Sequence, residues 1–422
     1  MVVASRLDIV VRNAAVPSLG VVDIGVRDGL ISSVGGKLSG RKEIDVKGML
    51  VSPGFVNVHT HLDKADLLSR MKPEDFGKTL EENRELLKRF KREYTIKEIK
   101  SRAKRVVSEF VSQGVTAIRT QVDVDSTGKL TPLKALLELR DELKDFVTLQ
   151  ICAFPQQGVV NADSRNLVEE ALSSGADLLG GLPLVEKTRE EQEEHVNILF
   201  KLAKKYDKDL EVQVDESNNP QDFMLPILAE KTIENKWQGR VSATHTISLS
   251  AVEDKIAAET IKLVKQAEMN VIVTPSANLI TRFSIPDDVH SRPSNSITRV
   301  KELLDAKVNV AIGTDNIRDI FYPLGDCSML REMHVLAAAT RMTRASDPQT
   351  LFRMASVNGA AIMGLKYGIS EGSRADIIVL NRENERDAIN GFPHVRHVIS
   401  GGRLVAENFL SNKIYGGKID ER

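Results

Sequence analysis

The sequence predicts an α/β protein, a (β/α)8 TIM barrel with a small β-sandwich domain formed from both termini. In the middle of the chain, short apolar segments alternate with amphipathic helical segments, which is the pattern of a parallel barrel. At both ends, short strands follow one another without intervening helices. A His-x-His pair, His59 and His61, follows the first apolar segment of the middle region.

The N-terminal region has the pattern of short strands separated by turns. Its candidate strands are 7–11, 21–26 and 31–34. Asp28-Gly29 is a hairpin-turn signal between the last two strands, because a tight turn there needs residues that tolerate a positive φ. We therefore assign residues 1–52 to the first part of a small β-domain.

Eight short apolar segments come next. They are 54–59, 115–121, 147–153, 177–182, 210–215, 241–245, 270–275 and 308–314. The helical segments between them are 96–113, 131–144, 167–174, 189–205, 223–235, 251–267 and 296–306. Thr131 and Pro132 are expected to be the N-cap and the first-turn proline of their helix. We assign residues 53–366 to a metal-dependent catalytic barrel.

Strands return at the C-terminal end. Residues 375–380 form one candidate strand, and 395–405 form two more joined by Gly401-Gly402. We predict that residues 367–422 complete the small β-domain begun at the N-terminus.

Composition excludes several classes of protein. A formal net charge of −1 gives no reason to expect a nucleic-acid or membrane partner. No apolar run reaches transmembrane length, and the start of the chain lacks the layout of a signal peptide. Cys152 and Cys327 are the only cysteines, so a disulfide framework and a cysteine metal cluster are excluded. We expect a cytoplasmic protein, and a homo-oligomer remains open.

The His-x-His pair predicts part of a metal site. Residues two apart in a strand project to the same face, so His59 and His61 are expected to point the same way. Two imidazoles on one face are suitable ligands for a transition metal.

Polar residues also cluster at the ends of the other predicted strands, where the active site of a parallel barrel lies. These residues are Gln121, Asp123, Gln156, Gln213, Asp215, Glu216, His245, Asp315 and Asn316. Their position on separate strands predicts one shared catalytic site. The amide of Gln156 suits recognition of a heterocycle.

These motifs carry a family resemblance. Residues 51–64 (VSPGFVNVHTHLDK) resemble the start of the barrel in the amidohydrolase superfamily. Residues 119–124 (RTQVDV), 153–156 (AFPQ) and 243–246 (ATHT) are similar to bacterial cytosine deaminases. Residues 315–319 (DNIRD), with the HLDK of the first motif, look more like N-isopropylammelide amidohydrolase, which acts on s-triazines. The resemblance covers almost the whole chain.

The resemblance implies roles for individual residues. It implies metal binding by His59, His61 and Asp315, proton transfer by Glu216, and stabilisation or deprotonation of the attacking water by His245. It places Gln156 against the substrate ring and Asn316 near the substrate amine. Further candidates for substrate binding are Phe154, Phe321, which can stack on a ring, and Lys64, which suits an anionic substrate. The segment 177–182 lacks the lysine that binuclear relatives carboxylate, so one divalent metal ion, Zn or Fe, is expected.

The same chemistry follows from the residue types. A metal held by two neutral imidazoles and a carboxylate keeps a position for water and lowers the pKa of that water. The water then attacks an amidine-like ring carbon, while a carboxylic acid such as Glu216 protonates the ring nitrogen and later the departing amine. Zinc deaminases of another fold use a glutamate that is not a metal ligand in this way.

The chain departs from cytosine deaminases at three positions. Gln121 and Gln213 stand where those enzymes have histidine, the second of them a metal ligand. An amide oxygen is a weaker ligand for transition metals and suits harder cations. Asn316 replaces a carboxylate near the substrate amine, which argues against cytosine itself as the substrate.

Three interpretations follow. The favoured one is a mononuclear metal-dependent hydrolase of a nitrogen heterocycle, which releases ammonia or an amine. The second is a hydrolase that opens a cyclic amide or amidine ring. The third is a catalytically silent homologue that binds a small heterocycle. Retention of Glu216, His245 and Asp315 favours the enzymes.

Overall fold

The computed structural model describes residues 6–72, 80–280 and 296–411. Its strands, in chain order, are β1 (Leu7–Val16), β2 (Gly20–Arg27), β3 (Leu30–Val34), β4 (Gly40–Asp45), β5 (Leu50–Pro53), β6 (Phe55–Thr60), β7 (Val115–Asp123), β8 (Thr148–Phe154), β9 (Leu178–Gly181), β10 (Leu210–Val214), β11 (Val241–His245), β12 (Asn270–Val273), β13 (Asn309–Ile312), β14 (Ile377–Leu380), β15 (Val395–Ser400) and β16 (Arg403–Glu407). They form two separate sheets.

Helices follow most barrel strands. They are α1 (Leu80–Lys91), α2 (Ile96–Ser112), α3 (Thr131–Leu143), α4 (Ala162–Ser173), α5 (Arg189–Tyr206), α6 (Leu225–Glu234), α7 (Asp254–Gln266), α8 (Pro275–Ile280), α9 (Val300–Asp305), α10 (Met329–Thr340), α11 (Asp347–Met354), α12 (Val357–Ile362) and α13 (Glu385–Gly391). Short 3-10 turns cover Leu67–Arg70, Pro183–Val185 and Ile247–Ser250. None of the described helices is long and apolar enough to cross a lipid bilayer.

One sheet unites the two ends of the chain, as predicted. Its order is β16-β15-β14-β5-β1-β2-β3, with β4 paired to β1. The junction is the antiparallel pair β5–β14, in which Val51 faces Val379. Asp28 and Gly29 have positive φ between β2 and β3, so the predicted hairpin turn is confirmed. β4 was not predicted, because most of its residues are charged and exposed and show no apolar period.

The second sheet is the predicted parallel barrel. Its order runs from β6 through β13, and every neighbouring pair is parallel. Between the last and first strands, Thr60 bridges to Asp315, and the Asp315 N–H donates to the His59 carbonyl oxygen over 2.9 Å. This contact joins the ends of β6 and β13 and places the histidine pair beside Asp315.

The barrel is apolar at one end and polar at the other. Near the N-terminal ends of the strands, Val56, Val58 and Ile272 pack with Ala360 and Ile362 of α12 in one buried cluster. The buried polar residues described in the next section lie at the carboxyl ends of the strands. This gradient leaves the carboxyl ends as the place for chemistry.

Several helix starts differ from the prediction, by up to five residues, and so does one cap residue. α4 begins five residues before the predicted 167, because the Asn161 side chain accepts the N–H groups of Asp163 and Ser164 and caps it there. Leu130, not Thr131, is the N-cap of α3, and Thr131 is its first helical residue. Local turns decide such starts, and apolar periodicity does not report them.

Candidate active site

Predicted site residues from six strands come together at one end of the barrel. Those at strand ends or in the residues that follow are His59, His61, Gln121, Phe154, Gln213, Glu216, His245, Asp315 and Asn316. Each is buried except Glu216, whose side chain is 26% exposed. The barrel closure therefore brings together residues that lie up to 257 positions apart in the sequence, the separation of His59 from Asn316.

The backbone at these strand ends is unusual. Asp215, His245, Thr246 and Asp315 all have positive φ, between 48° and 74°. Non-glycine residues rarely adopt this left-handed conformation, and it persists where surrounding contacts hold it. At Asp215 the contacts are clear, because its carboxylate accepts the N–H groups of Met224 and Leu225 at the start of α6. Asp215 therefore has a structural role beside Glu216.

Asp315 lies between the two predicted histidine ligands. Its Oδ1 is 3.6 Å from His59 Nε2 and 3.3 Å from His61 Nε2. Gly313 allows the segment before Asp315 to lie close to His59. A Cβ at position 313 would be only 2.7 Å from the His59 Cβ. The three side chains that were predicted to bind metal are thus adjacent.

A buried carboxylate fixes the orientation of His59. Glu211 Oε1 lies 2.6 Å from His59 Nδ1 and also accepts from Gln121 Nε2 over 2.7 Å. Arg119 Nη1 donates to Glu211 Oε2 over 3.0 Å, and Thr244 Oγ1 lies 3.3 Å from Oε1. The role of Glu211 was not predicted. The feature that could have indicated it is a charged residue in a buried strand, two positions before Gln213 and therefore on the same face.

The electrostatics of the site favour a cation. Burial by itself lowers the pKa of His59, but Asp315 and Glu211 outweigh it and raise that pKa to about 9. Burial opposes ionisation of Asp315 as well, yet the adjacent imidazoles of His59 and His61 hold its pKa well below the usual range. A site that attracts a proton onto an imidazole so strongly also attracts a metal ion.

The donor atoms fit a divalent metal. Because His59 Nδ1 is bound to Glu211, Nε2 is the free nitrogen, and it is buried with no hydrogen-bond partner. A carboxylate behind a ligating imidazole is the usual outer-shell arrangement in metalloproteins. His59, Asp315 and His245 each offer a ligand atom within 4.8 Å of the others, so the geometry also makes His245 a possible ligand.

The two glutamines that replace histidines differ in their contacts. Gln121 donates to Glu211 and so supports the orientation of His59. Gln213 is buried, faces the same side of β10 as Glu211, and has an Nε2 atom without a hydrogen-bond partner. An amide binds a metal through its oxygen, so the unpartnered Nε2 does not identify Gln213 as a ligand, and that role stays a prediction. Gln121 donates to Glu211, and its Oε1 is the amide oxygen that is buried without a hydrogen-bond partner.

We expect Gln213→His to tighten metal binding at least about 10-fold, the lower end of what the close partners of metal ligands contribute. An imidazole is a stronger ligand for Zn or Fe than an amide. Competition with a chromophoric chelator measures the affinity. Gln213→Asn is the matched control and should give no gain. Equal affinities in wild type and Gln213→His would show that residue 213 does not face the metal.

A second set of buried side chains that could hold a metal ion includes His61, the neighbour of Asp315. Ligand atoms of His61, Asp63 and Asp123 lie within 4.8 Å of one another. However, Asp123 already pairs with Lys64 over 2.8 Å and with Lys91 over 2.6 Å. These two ammonium groups balance the charge, so the cluster is explained as an ion-pair network. Lys64 is only 2% exposed, and its substrate role stays a prediction.

Glu216 and His245 form an acid and a neutral imidazole side by side. Glu216 Oε2 lies 3.9 Å from His245 Nε2. Burial, with the charge of Asp315 second, raises the pKa of Glu216 to about 8. Burial lowers the pKa of His245 to about 3. At neutral pH the carboxyl is therefore mostly protonated and the imidazole uncharged, as general acid catalysis requires.

The predicted substrate residues surround this centre. The Phe154 ring meets His61 edge to face, with centroids 5.8 Å apart. Asn316 Nδ2 donates to Asp319 over 2.5 Å, which fixes the amide. Lys64 Nζ lies 5.8 Å from the Phe321 ring centroid. The structure thus places these side chains at the same end of the barrel, and their contacts with a substrate stay predictions.

Glu186 and the buried His195 hold the loop that carries Gln156. Glu186 Oε1 accepts the N–H groups of Val159 and Val160 over 3.0 and 3.3 Å. The same oxygen lies 2.8 Å from His195 Nδ1, and His195 Nε2 accepts the Leu182 N–H. No partner pattern for His195 was recognised in the sequence, because its two partners, Glu186 and Leu182, flank a separate turn.

Comparison with known proteins gives a consistent result. A profile described as Amidohydrolase family matches residues 72–406. The N-isopropylammelide isopropyl amidohydrolase of Pseudomonas sp. strain ADP is 32% identical over 415 residues, which is 95% of this chain and 98% of that protein.

Two further relatives act on other heterocycles by their names. A pterin deaminase of Rhizobium rhizogenes is 26% identical over 420 residues, covering 94% of this chain and 93% of that protein. The 5-methylcytosine deaminase of Klebsiella pneumoniae, solved with 5-fluorocytosine, superimposes with a TM-score of 0.89 and 28% identity. That alignment covers 96% of this chain and 99% of the other.

Proposed function

Because the chain belongs to the amidohydrolase family and is a hydrolase of carbon–nitrogen bonds other than peptide bonds, we propose that it removes an exocyclic amino or alkylamino group from a nitrogen heterocycle. In the proposed reaction, water adds its oxygen to a ring carbon and the exocyclic carbon–nitrogen bond breaks. The attacked carbon becomes a carbonyl that carries the oxygen of the water, the ring nitrogen gains one proton, and ammonia or an amine leaves with the other proton.

One divalent metal ion, Zn or Fe, is part of the proposal. His59, His61 and Asp315 would hold it, with Gln213 as a weak fourth ligand. When bound, such an ion lowers the pKa of a water molecule and makes it a nucleophile at neutral pH.

The protein groups supply proton transfer. The protonated carboxyl of Glu216 donates to the ring nitrogen next to the attacked carbon, which makes that carbon more electrophilic. Glu216 then recovers one proton from the water and passes it to the departing amine, and it regains the second proton of the water when the adduct's hydroxyl becomes the carbonyl. Its 26% exposure puts the carboxyl at the opening of the site, where a ring can reach it.

The remaining side chains would orient the ring. Gln156 has both a donor and an acceptor for the edge of a heterocycle. Phe154 and Phe321 provide apolar faces, and Asn316 offers its carbonyl oxygen, because its amide nitrogen is bound to Asp319. Lys64 would favour a substrate with partial negative charge on a ring oxygen.

The observation that carries this proposal is the adjacency of Glu216 and His245 to His59 and Asp315. A raised carboxyl pKa beside a lowered imidazole pKa is typical of a catalytic site. A homologue that only binds a ligand has no need for this arrangement. The family relationship also favours an enzyme, because the relatives are named as amidohydrolases and deaminases.

The test combines metal analysis with product detection. Protein purified without chelator is analysed for Zn and Fe, then assayed for ammonia and amine release from pyrimidines, pterins and alkylamino-triazines. About one metal per chain with ammonia or amine release supports the proposal. Metal with ring opening, seen by mass spectrometry without amine release, favours the cyclic amide or amidine hydrolase. Tight heterocycle binding without turnover, even after metal addition, favours the silent homologue.

A further inference from the structure

Two side chains contact the Nδ1 atom of His245. They belong to Asn278 on α8 and to Thr274, the residue just before that helix. Asn278 Nδ2 lies 3.0 Å from His245 Nδ1, and Thr274 Oγ1 lies 3.2 Å from the same nitrogen. His245 and Asn278 are each 1% exposed, and Thr274 is 0% exposed. The contacts are thus fully removed from water, and each must satisfy the other's hydrogen-bonding groups.

The chemistry of an amide nitrogen decides which tautomer this contact holds. Asn278 Nδ2 carries two N–H donors and no acceptor, so it needs a lone pair on His245 Nδ1. The Thr274 hydroxyl is compatible, because it can donate or accept. With Nδ1 as the acceptor, the single proton of the neutral ring is on Nε2.

We propose that Asn278 is a positioning residue that fixes His245 as the Nε2–H tautomer, so that His245 acts as a hydrogen-bond donor and not as a base or a metal ligand. The catalytic part of this inference rests on the proposed function. Nε2 is the nitrogen nearest Glu216, at 3.9 Å, and the ring lies against His59 with centroids 5.5 Å apart. The donor therefore faces the reacting groups.

The position of Asn278 is itself fixed. Asn278 lies on α8, where its N–H donates to the Thr274 carbonyl oxygen over 2.9 Å. The first turn of α8 is anchored from α10, because the Ser276 N–H donates to Glu332 Oε2 over 2.9 Å. Asn278 is thus held by a backbone hydrogen bond to Thr274, and the turn that carries both residues is held by the Glu332 side chain.

With this tautomer, Glu216 and His245 have different roles in the reaction. A protonated Nε2 has no lone pair for a metal. His245 is then not a metal ligand, although its ligand atom lies within 4.8 Å of those of His59 and Asp315. It also cannot take a proton from water. Glu216 is then the group that transfers protons, and His245 stabilises negative charge developing on the attacking oxygen.

The first test observes the tautomer directly in the wild-type protein loaded with Zn. Nitrogen NMR of isotopically labelled histidine distinguishes a protonated ring nitrogen from an unprotonated one. His245→Gln assigns the resonance by removing it from the eight histidines of the chain. We expect a protonated Nε2 and an unprotonated Nδ1. A protonated Nδ1, or an Nε2 that shifts on metal binding as a ligand does, would overturn the proposal.

The second test reverses the hydrogen bond. In Asn278→Asp the carboxylate can only accept, so the ring should move its proton to Nδ1 or hold protons on both nitrogens. We expect turnover to fall about 100-fold, the typical effect of losing one donor to a developing oxyanion. Leu279→Asp is the matched control. It adds the same charge on the neighbouring residue, whose side chain is 45% exposed, and should keep wild-type turnover and tautomer.

These measurements separate the inference from the proposed function. Loss of turnover with an unchanged His245 spectrum in Asn278→Asp would mean that Asn278 acts only structurally, which contradicts the inference. If no substrate is found, the proposed function fails, but the wild-type spectrum still supports or rejects the tautomer. Because that spectrum needs no variant at position 278, poor folding of Asn278→Asp does not remove the test.

Discussion

Glu216→Gln is expected to lower kcat about 1000-fold while bound metal stays at the wild-type level, within the range that a positioned acid–base group contributes. Glutamine keeps the size and a donor N–H but cannot give up a proton. The 3.9 Å separation from His245 should tolerate the change, because no hydrogen bond between the two is lost.

Parallel measurements of kcat and metal content check this result. Glu385→Gln is the control, because burial also raises the pKa of that carboxyl and it lies on α13, outside the barrel site. Its kcat should equal that of the wild type. A Glu216→Gln enzyme that keeps a tenth or more of wild-type kcat would remove Glu216 from the proton-transfer role.

The same role predicts a pH dependence. The acid must be protonated to act, and burial raises the pKa of Glu216 to about 8. Activity should therefore be retained at neutral pH and should fall as pH rises through about 8. This alkaline limb should be absent from the residual rate of Glu216→Gln.

Asp315→Asn is expected to weaken metal binding by at least about 100-fold, the upper end of what outer-shell partners contribute, because Asp315 is placed as a direct ligand. Asp315 Oδ1 lies beside the Nε2 atoms of both His59 and His61. A neutral amide cannot balance the charge of a divalent ion in a buried site. Turnover at stoichiometric metal should fall below detection.

Chelator competition gives the affinity, and excess metal should restore part of the activity. Asp326→Asn is the matched control, because that carboxylate pairs with Arg331 near the start of α10. It should leave metal affinity unchanged. Wild-type metal content in dialysed Asp315→Asn would contradict the ligand role of Asp315.

Local sequence pattern was enough to predict most elements of the barrel. Strand period, helix period and turn residues are properties of neighbouring positions, and β11 (Val241–His245) was predicted to the residue. The same holds for His59 and His61, whose spacing of two gives a shared face in any strand. Helix starts such as Ala162 were missed, because a single capping side chain sets them.

The supporting contacts of the site could not be predicted in this way. Glu211 joins side chains from β6, β7 and β11, and Arg119 alone is 92 positions away from it. Gln121 was described only as a replacement of a histidine of cytosine deaminases, and the structure gives it a donor role toward Glu211. Asn278 had no motif at all, and its contact with His245 spans 33 positions.

The sequence by itself therefore determined the order of strands and helices, the family resemblance and the residue types that supply the chemistry. The tertiary structure decided which of these residues meet, since the Thr60–Asp315 bridge at the barrel seam brings the histidine pair to its carboxylate. It also decided which ring nitrogen of His59 and of His245 faces the site. Hydrogen-bond partners on other strands and helices set that choice, and their positions exist only after the barrel closes.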